Sequence, residues 1–167
     1  SLDKAGSRVQ TRRKEAQLAG LGQADLDKFI TPIENAFAVA DHTRCLAFML
    51  AEGIVPSNVR EGYLTRLMLR RTYRLLRILT IEEKLLDIID KQIASWSKDF
   101  PNLKEMRGDI LEILSVDQDK FKETLKRGRL LVRRITQDLK EKGLSEIPTE
   151  TLIELYDSQG LPPEVVK

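Results

Sequence analysis

The chain has 167 residues, with 28 Lys and Arg against 26 Asp and Glu, so its formal net charge is only +2. Charged residues make up 32% and apolar ones 41%, enough carbon for a buried core and too much for wholesale disorder. A single Cys (Cys45) and a single His (His42) exclude a disulfide framework, a Cys/His zinc site built within the chain and any catalytic pair of histidines. The unpaired Cys fits a reducing compartment. The longest apolar run is the seven residues 45–51, far short of a membrane span, and no signal peptide is visible. These features predict a cytoplasmic protein without a membrane segment. The chain opens at Ser1 without Met, as a piece of something longer would.

Val, Ile and Thr are scattered rather than alternating, and apolar residues recur at helical spacing almost throughout. The fold expected is all-α, a helical bundle of about six to eight helices. Residues 1–30 read as an N-terminal helical extension. Its first helix, 2–19, carries Lys4, Arg8, Arg12, Arg13 and Lys14 and is broken by Gly20 and Gly22; a short helix at 23–30 follows. Thr31-Pro32 then opens the main domain, 31–167, because Pro suits a first helical position. Helix 32–52 is apolar on nearly every side, which predicts a buried helix at the centre of the bundle. Within it lies a polar insert, Asp41-His42-Thr43-Arg44. Arg44 shares its face with Ile33, Phe37, Ala40, Ala47 and Ala51, which predicts a buried or half-buried guanidinium in need of an acid. Asp41, His42 and Arg44 thus form either a satisfied polar cluster inside the bundle or one that faces a substrate or an adjacent domain.

Residues 53–58 (Gly-Ile-Val-Pro-Ser-Asn) form a loop, and helix 59–79 follows. Asn58, three residues before Glu61, has the pattern of an N-cap with a Glu at N3. The helix is strongly segregated. At helical spacing, Leu64, Leu67, Met68, Leu75, Ile78 and Leu79 fall within an arc of roughly 120°. Arg66, Arg70, Arg74 and Arg77 fall on the other side, within about 80°. Six Arg against one Glu leave residues 58–79 a local charge of +5. The next helix, 81–97, begins acidic, and Phe100-Pro101-Asn102 is a break. Helices are expected at 102–115 and 117–142, the second with a basic middle that includes Arg127 and Arg133, ended by Gly143. A last short helix, 149–158, has Leu152, Ile153, Leu155 and Tyr156 on one side, and Leu161-Pro162-Pro163 forbids its continuation. Asp157 lies in its last turn, where the helix dipole disfavours an acid. A residue placed against local preference is a functional candidate, and a carboxylate can accept a hydrogen bond from an amino group on a base edge.

Four arginines on one face match the spacing and sign of a phosphate backbone, and a second basic run strengthens a reading of polyanion binding. The alternatives are a solvated face that pairs with the acidic start of helix 81–97, or a helical protein–protein adaptor whose basic face docks an acidic partner. One Trp and three Tyr are too few and too dispersed for a stacking platform. Neither Gly20-Leu21-Gly22 nor Gly53 matches a phosphate loop, and no complete active site is evident.

Three stretches together carry a family resemblance. The first is Ala40-Asp41-His42-Thr43-Arg44 with Ala47-Phe48-Met49-Leu50-Ala51-Glu52-Gly53-Ile54-Val55-Pro56-Ser57-Asn58, Gly62-Tyr63 and Arg70-Arg71. The second is Phe121-Lys122-Glu123-Thr124-Leu125-Lys126-Arg127-Gly128, and the third Leu155-Tyr156-Asp157-Ser158-Gln159-Gly160-Leu161-Pro162. In this order they resemble the central segment of the alanyl-tRNA synthetases, and the region 1–30 resembles archaeal members. The resemblance implies the helical tRNA-recognition domain, between an aminoacylation domain that uses ATP and Mg and an editing domain that holds zinc. This segment would itself hold no cofactor and, without those two domains, would bind tRNA but not aminoacylate. Its partners would be the tRNA-Ala acceptor stem and the adjacent domains. The family reads a G·U wobble pair at the third acceptor position. The two reading residues carry over to Asn58 of Pro-Ser-Asn and Asp157 of Leu-Tyr-Asp, with Arg66, Arg70, Arg74, Arg77, Arg127 and Arg133 as the phosphate contacts.

Overall fold

The computed structural model describes residues 2–141 together with 147 and 148. Asp157 and the helix expected at 149–158 lie outside the described residues. Those described form six α-helices and one short 3-10 turn, without a strand among them. In chain order these are α1 (Leu2–Leu18), α2 (Gln23–Ala51), α3 (Arg60–Ile78), the 3-10 turn (Glu82–Lys84), α4 (Leu85–Trp96), α5 (Pro101–Glu105) and α6 (Arg107–Glu141). The chain makes two compact units, residues 1–111 and 112–167, and α6 begins in the first and continues into the second.

Three of the helices stop in the same way. After α1, Leu21 N–H donates to the Ala16 carbonyl at 2.9 Å with Gly20 at φ 66°. After α2, Ile54 N–H donates to Met49 at 3.0 Å with Gly53 at φ 78°. Both use a left-handed glycine, which has no Cβ to clash, to turn the chain back over its own last carbonyls. After α3, Ile81 N–H donates to Leu76 at 2.9 Å, but the left-handed residue is Thr80, at φ 57°.

In the first unit α2 is the hub, and α1, α3, α4 and α5 each pack on it. Leu46 and Leu50 of α2, Leu69 and Leu76 of α3, Leu85, Ile89 and Ile93 of α4 and Leu103 of α5 are all buried. Thr43, Thr65 and Thr72 are fully buried among them. Thr43 and Thr72 remain satisfied because their hydroxyls donate to Val39 (2.8 Å) and Met68 (2.9 Å), one turn earlier in their own helices. The extension is tied down by Arg12, whose guanidinium forks between Asp27 and Glu34, both on α2.

Three local expectations differ. Pro32 does not open a helix; α2 runs unbroken through it from Gln23. Its ring removes one hydrogen bond to the Lys28 carbonyl, but Lys28 and Pro32 are both exposed, so water can take that carbonyl. Continuity keeps Leu26 and Val39 buried on a single rod. Secondly, α2 is central yet covered on one side only. Phe29, Ile33 and Phe37, spaced four apart, are 68%, 56% and 71% exposed. An apolar surface all round a helix permits burial but does not supply the neighbours that bury it. Thirdly, no break separates 115 from 117. Ser115-Val116 contains neither Gly nor Pro, and α6 is one helix of 35 residues.

Candidate nucleic-acid interface

Asn58 stands on a turn between α2 and α3 that is pinned from several directions. Ser57 N–H donates to the Gly62 carbonyl at 2.9 Å, which folds the turn back over the start of α3. Ser57 Oγ donates to the Val59 carbonyl at 2.9 Å. Gly62 is buried under this turn; a Cβ there would lie 2.3 Å from Ser57 Oγ and 2.4 Å from the Val55 carbonyl oxygen. Only a glycine admits so close an approach. Arg60 is held at φ 50°, a left-handed conformation that costs a non-glycine residue of order 1–3 kcal/mol.

The N-cap expected of Asn58 does not form. The cap position is Val59, in extended conformation and with no side-chain cap bond. Asn58 instead uses its Oδ1 to accept a hydrogen bond from Arg66 Nη1, two turns along α3. With Val59 at the cap position and Arg60 left-handed, Asn58 lies one residue outside the helix and is exposed, within reach of Arg66. Arg66 is half-buried, and its Nε is buried with no hydrogen-bond partner.

Three faces of α3 are distinct. The buried one is Gly62, Thr65, Leu69, Thr72, Tyr73 and Leu76. At 100° per residue its centre is roughly 130° from that of the apolar arc and roughly 110° from that of the arginines. The arginine face therefore flanks the core: Arg70 is half-buried, and Arg74 and Arg77 are exposed. The apolar arc is in part exposed, with Leu64 at 58% and Ile78 at 54%. In the second unit the basic side chains Arg127, Arg129, Arg133 and Arg134 of α6 are exposed, and Arg127 lies 3.6 Å from Glu123, one turn before it.

The polar insert of α2 divides between two sides. Arg44 pairs with Asp41 at 2.9 Å and stacks over the Trp96 ring, 5.8 Å from its centroid. Its side chain is about half exposed and paired with an acid, the half-buried one of the two cases expected. Trp96 Nε1 donates to Gln92 Oε1 at 3.2 Å, and Gln92 Nε2 donates to the Ala40 carbonyl at 3.0 Å, a polar seam between α2 and α4. His42 points elsewhere. Burial lowers its pKa, the Arg71 charge lowers it further, and Asp41 opposes both. It is therefore held neutral at pH 7. Among the described residues no group of three or more His, Cys, Asp or Glu side chains is arranged to hold a metal ion, and no helix is long and apolar enough to cross a membrane.

The family described as tRNA synthetases class II (A) matches residues 14–167. An alanine–tRNA ligase from Pyrococcus abyssi is 47% identical over 166 residues, which is 99% of this chain and 18% of that protein. Those from Methanothermobacter thermautotrophicus and Methanococcus maripaludis are 43% and 44% identical, over 94% and 99% of this chain. The chain spans 18% of the length of each of these relatives.

Proposed function

Because the chain belongs to the family of class II tRNA synthetases (A), we propose that it is the part of an alanine–tRNA ligase that holds the tRNA-Ala acceptor stem and reads the G·U wobble pair at its third position. The single observation that carries this is the exposed Asn58, held on a pinned turn at the foot of the arginine face of α3. In A-form RNA the minor groove is wide and shallow, so side chains reach base edges there. The guanine 2-amino group of a G·U wobble lacks a pairing partner. Asp157 accepts from it, and Asn58 addresses the neighbouring edge. A Watson–Crick pair occupies or removes that amino group, and an unmatched carboxylate then costs about 1–3 kcal/mol. Arg70, Arg74, Arg77, Arg127 and Arg133 take phosphates, while Arg66, expected among them, is engaged with Asn58; the phosphate contacts set the register and carry no sequence information.

The parent enzyme would act in the cytoplasm. Its ATP, Mg and zinc would be bound by domains outside this chain. A second contact is favoured by the exposed Phe29, Ile33 and Phe37 stripe. It suits an adjacent aminoacylation or editing domain of the same polypeptide better than an acidic adaptor partner, because apolar area and not charge is on offer there. The test of the main reading is a comparison of acceptor-stem minihelices. The chain binds the G·U stem more tightly than the G·C stem, and Asp157→Ala equalises the two while the salt dependence stays. Equal binding by the unmutated chain sinks the reading.

A further inference from the structure

We propose that Arg66 is a positioning residue that turns Asn58 into a donor-only probe, so that the group Asn58 meets on the RNA is an oxygen acceptor. This rests on the reading of a minor-groove site given above. A free asparagine amide can present either its oxygen or its NH2, and rotation about its last bond exchanges the two. Arg66 removes the choice. A guanidinium has five N–H groups and no acceptor, so the Asn58 atom that faces it must be Oδ1. The NH2 group is then the end left for the groove.

Three features make this a fixed arrangement. Arg66 sits on the first full turns of α3, next to the buried face, and is itself half-buried. Its Nε is buried and unpartnered, so the guanidinium is seated by packing and its outward bond is to Asn58. The backbone of Asn58 is held from below by the Ser57 to Gly62 bond at 2.9 Å. The chemistry is then complementary across the wobble pair. Asp157 can only accept, and it takes the guanine amino group. Asn58 can only donate, and it takes the uracil O2 or the ribose 2′-oxygen beside it. Exchange of the base pair misaligns a donor and an acceptor together.

The experiment uses the full-length parent enzyme and aminoacylation kcat/KM on minihelices. Three stems are compared: the normal G·U stem, one with 2-thiouracil at that position, and one with the adjacent 2′-hydroxyl removed. In the unmutated enzyme one of the two replacements lowers kcat/KM about tenfold, as loss of one hydrogen bond to a fixed donor should, and which one identifies the acceptor. Arg66→Lys, still a pure donor, keeps that penalty. Arg66→Met frees the amide, and the penalty shrinks to under about threefold. Should Arg66→Met misfold, judged by its thermal transition, Asn58→Asp serves instead. It keeps the bond to Arg66 but offers the groove only an oxygen, and the normal stem falls at least about tenfold. A full penalty that persists in Arg66→Met, an unimpaired Asn58→Asp enzyme or indifference of the unmutated enzyme to both replacements overturns the inference. Failure of the wider reading looks different: Asn58→Ala and Asp157→Ala would both leave the preference for G·U over G·C untouched.

Discussion

Gly62 shows how far a single atom reaches. The missing Cβ makes room for Ser57 and Val55, and that room decides where Asn58 stands. Gly62→Ala pushes against a backbone carbonyl, which cannot swing aside as a side chain could. We expect a loss of about 1–3 kcal/mol in thermal unfolding. We also expect a weaker preference for the G·U stem with an unchanged salt dependence, since the arginines proposed to take phosphates are not displaced. An unchanged stem preference in a destabilised protein would show that the turn does not position the reader. The short pattern Pro56-Ser57-Asn58 with Glu61 was legible as the head of a helix, but the cap it suggests lost to Arg66. That competition is decided by where two turns of helix bring a guanidinium, which no local pattern encodes.

Among the helices, α3 is strained at both ends, at Arg60 where it starts and at Thr80 just past its exit. Thr80 is β-branched and occupies a left-handed position that the ends of α1 and α2 give to glycine. Thr80→Gly should therefore raise the stability by about 0.5–1 kcal/mol, net of the greater freedom of glycine in the unfolded chain. A rise in the melting temperature checks it; a fall would mean that the Thr80 hydroxyl, which donates to the Leu79 carbonyl at 2.7 Å, is worth more than the strain. The helices themselves were readable, because their hydrogen bonds join residues four apart and leave a period in the sequence. Which face turns inward was not. In α3 the inward face is built from Gly62, Thr65 and Thr72 as much as from Leu69, Tyr73 and Leu76, small residues that let helices approach closely. The more apolar arc stays in part outside.

Across the protein as a whole, charge is nearly balanced in total and concentrated in place. The arginines of α3 form a stripe while the acids lie elsewhere, as at the start of α4 and its 3-10 turn. Binding to an acceptor stem should weaken steeply with salt. Joint Arg70→Ala and Arg74→Ala substitution should weaken G·U and G·C stems alike and flatten the log–log salt slope by about 1.5, near 0.7–0.9 for each phosphate no longer neutralised. A titration of affinity against salt reads this directly. An unchanged slope would assign the stripe to protein docking and not to RNA.

The order of amino acids was enough to settle the helical class, the two basic runs, the lack of any Cys/His metal set and the family motifs, since each of these is written in neighbouring residues or in plain counts. It took the folded chain to settle that α2 passes through Pro32, that its Phe29–Phe37 stripe stays uncovered and that Asn58 gives its oxygen to Arg66. Burial and side-chain pairing depend on what arrives from elsewhere in the chain, and a helix with several apolar or polar sides does not say which of them will be met.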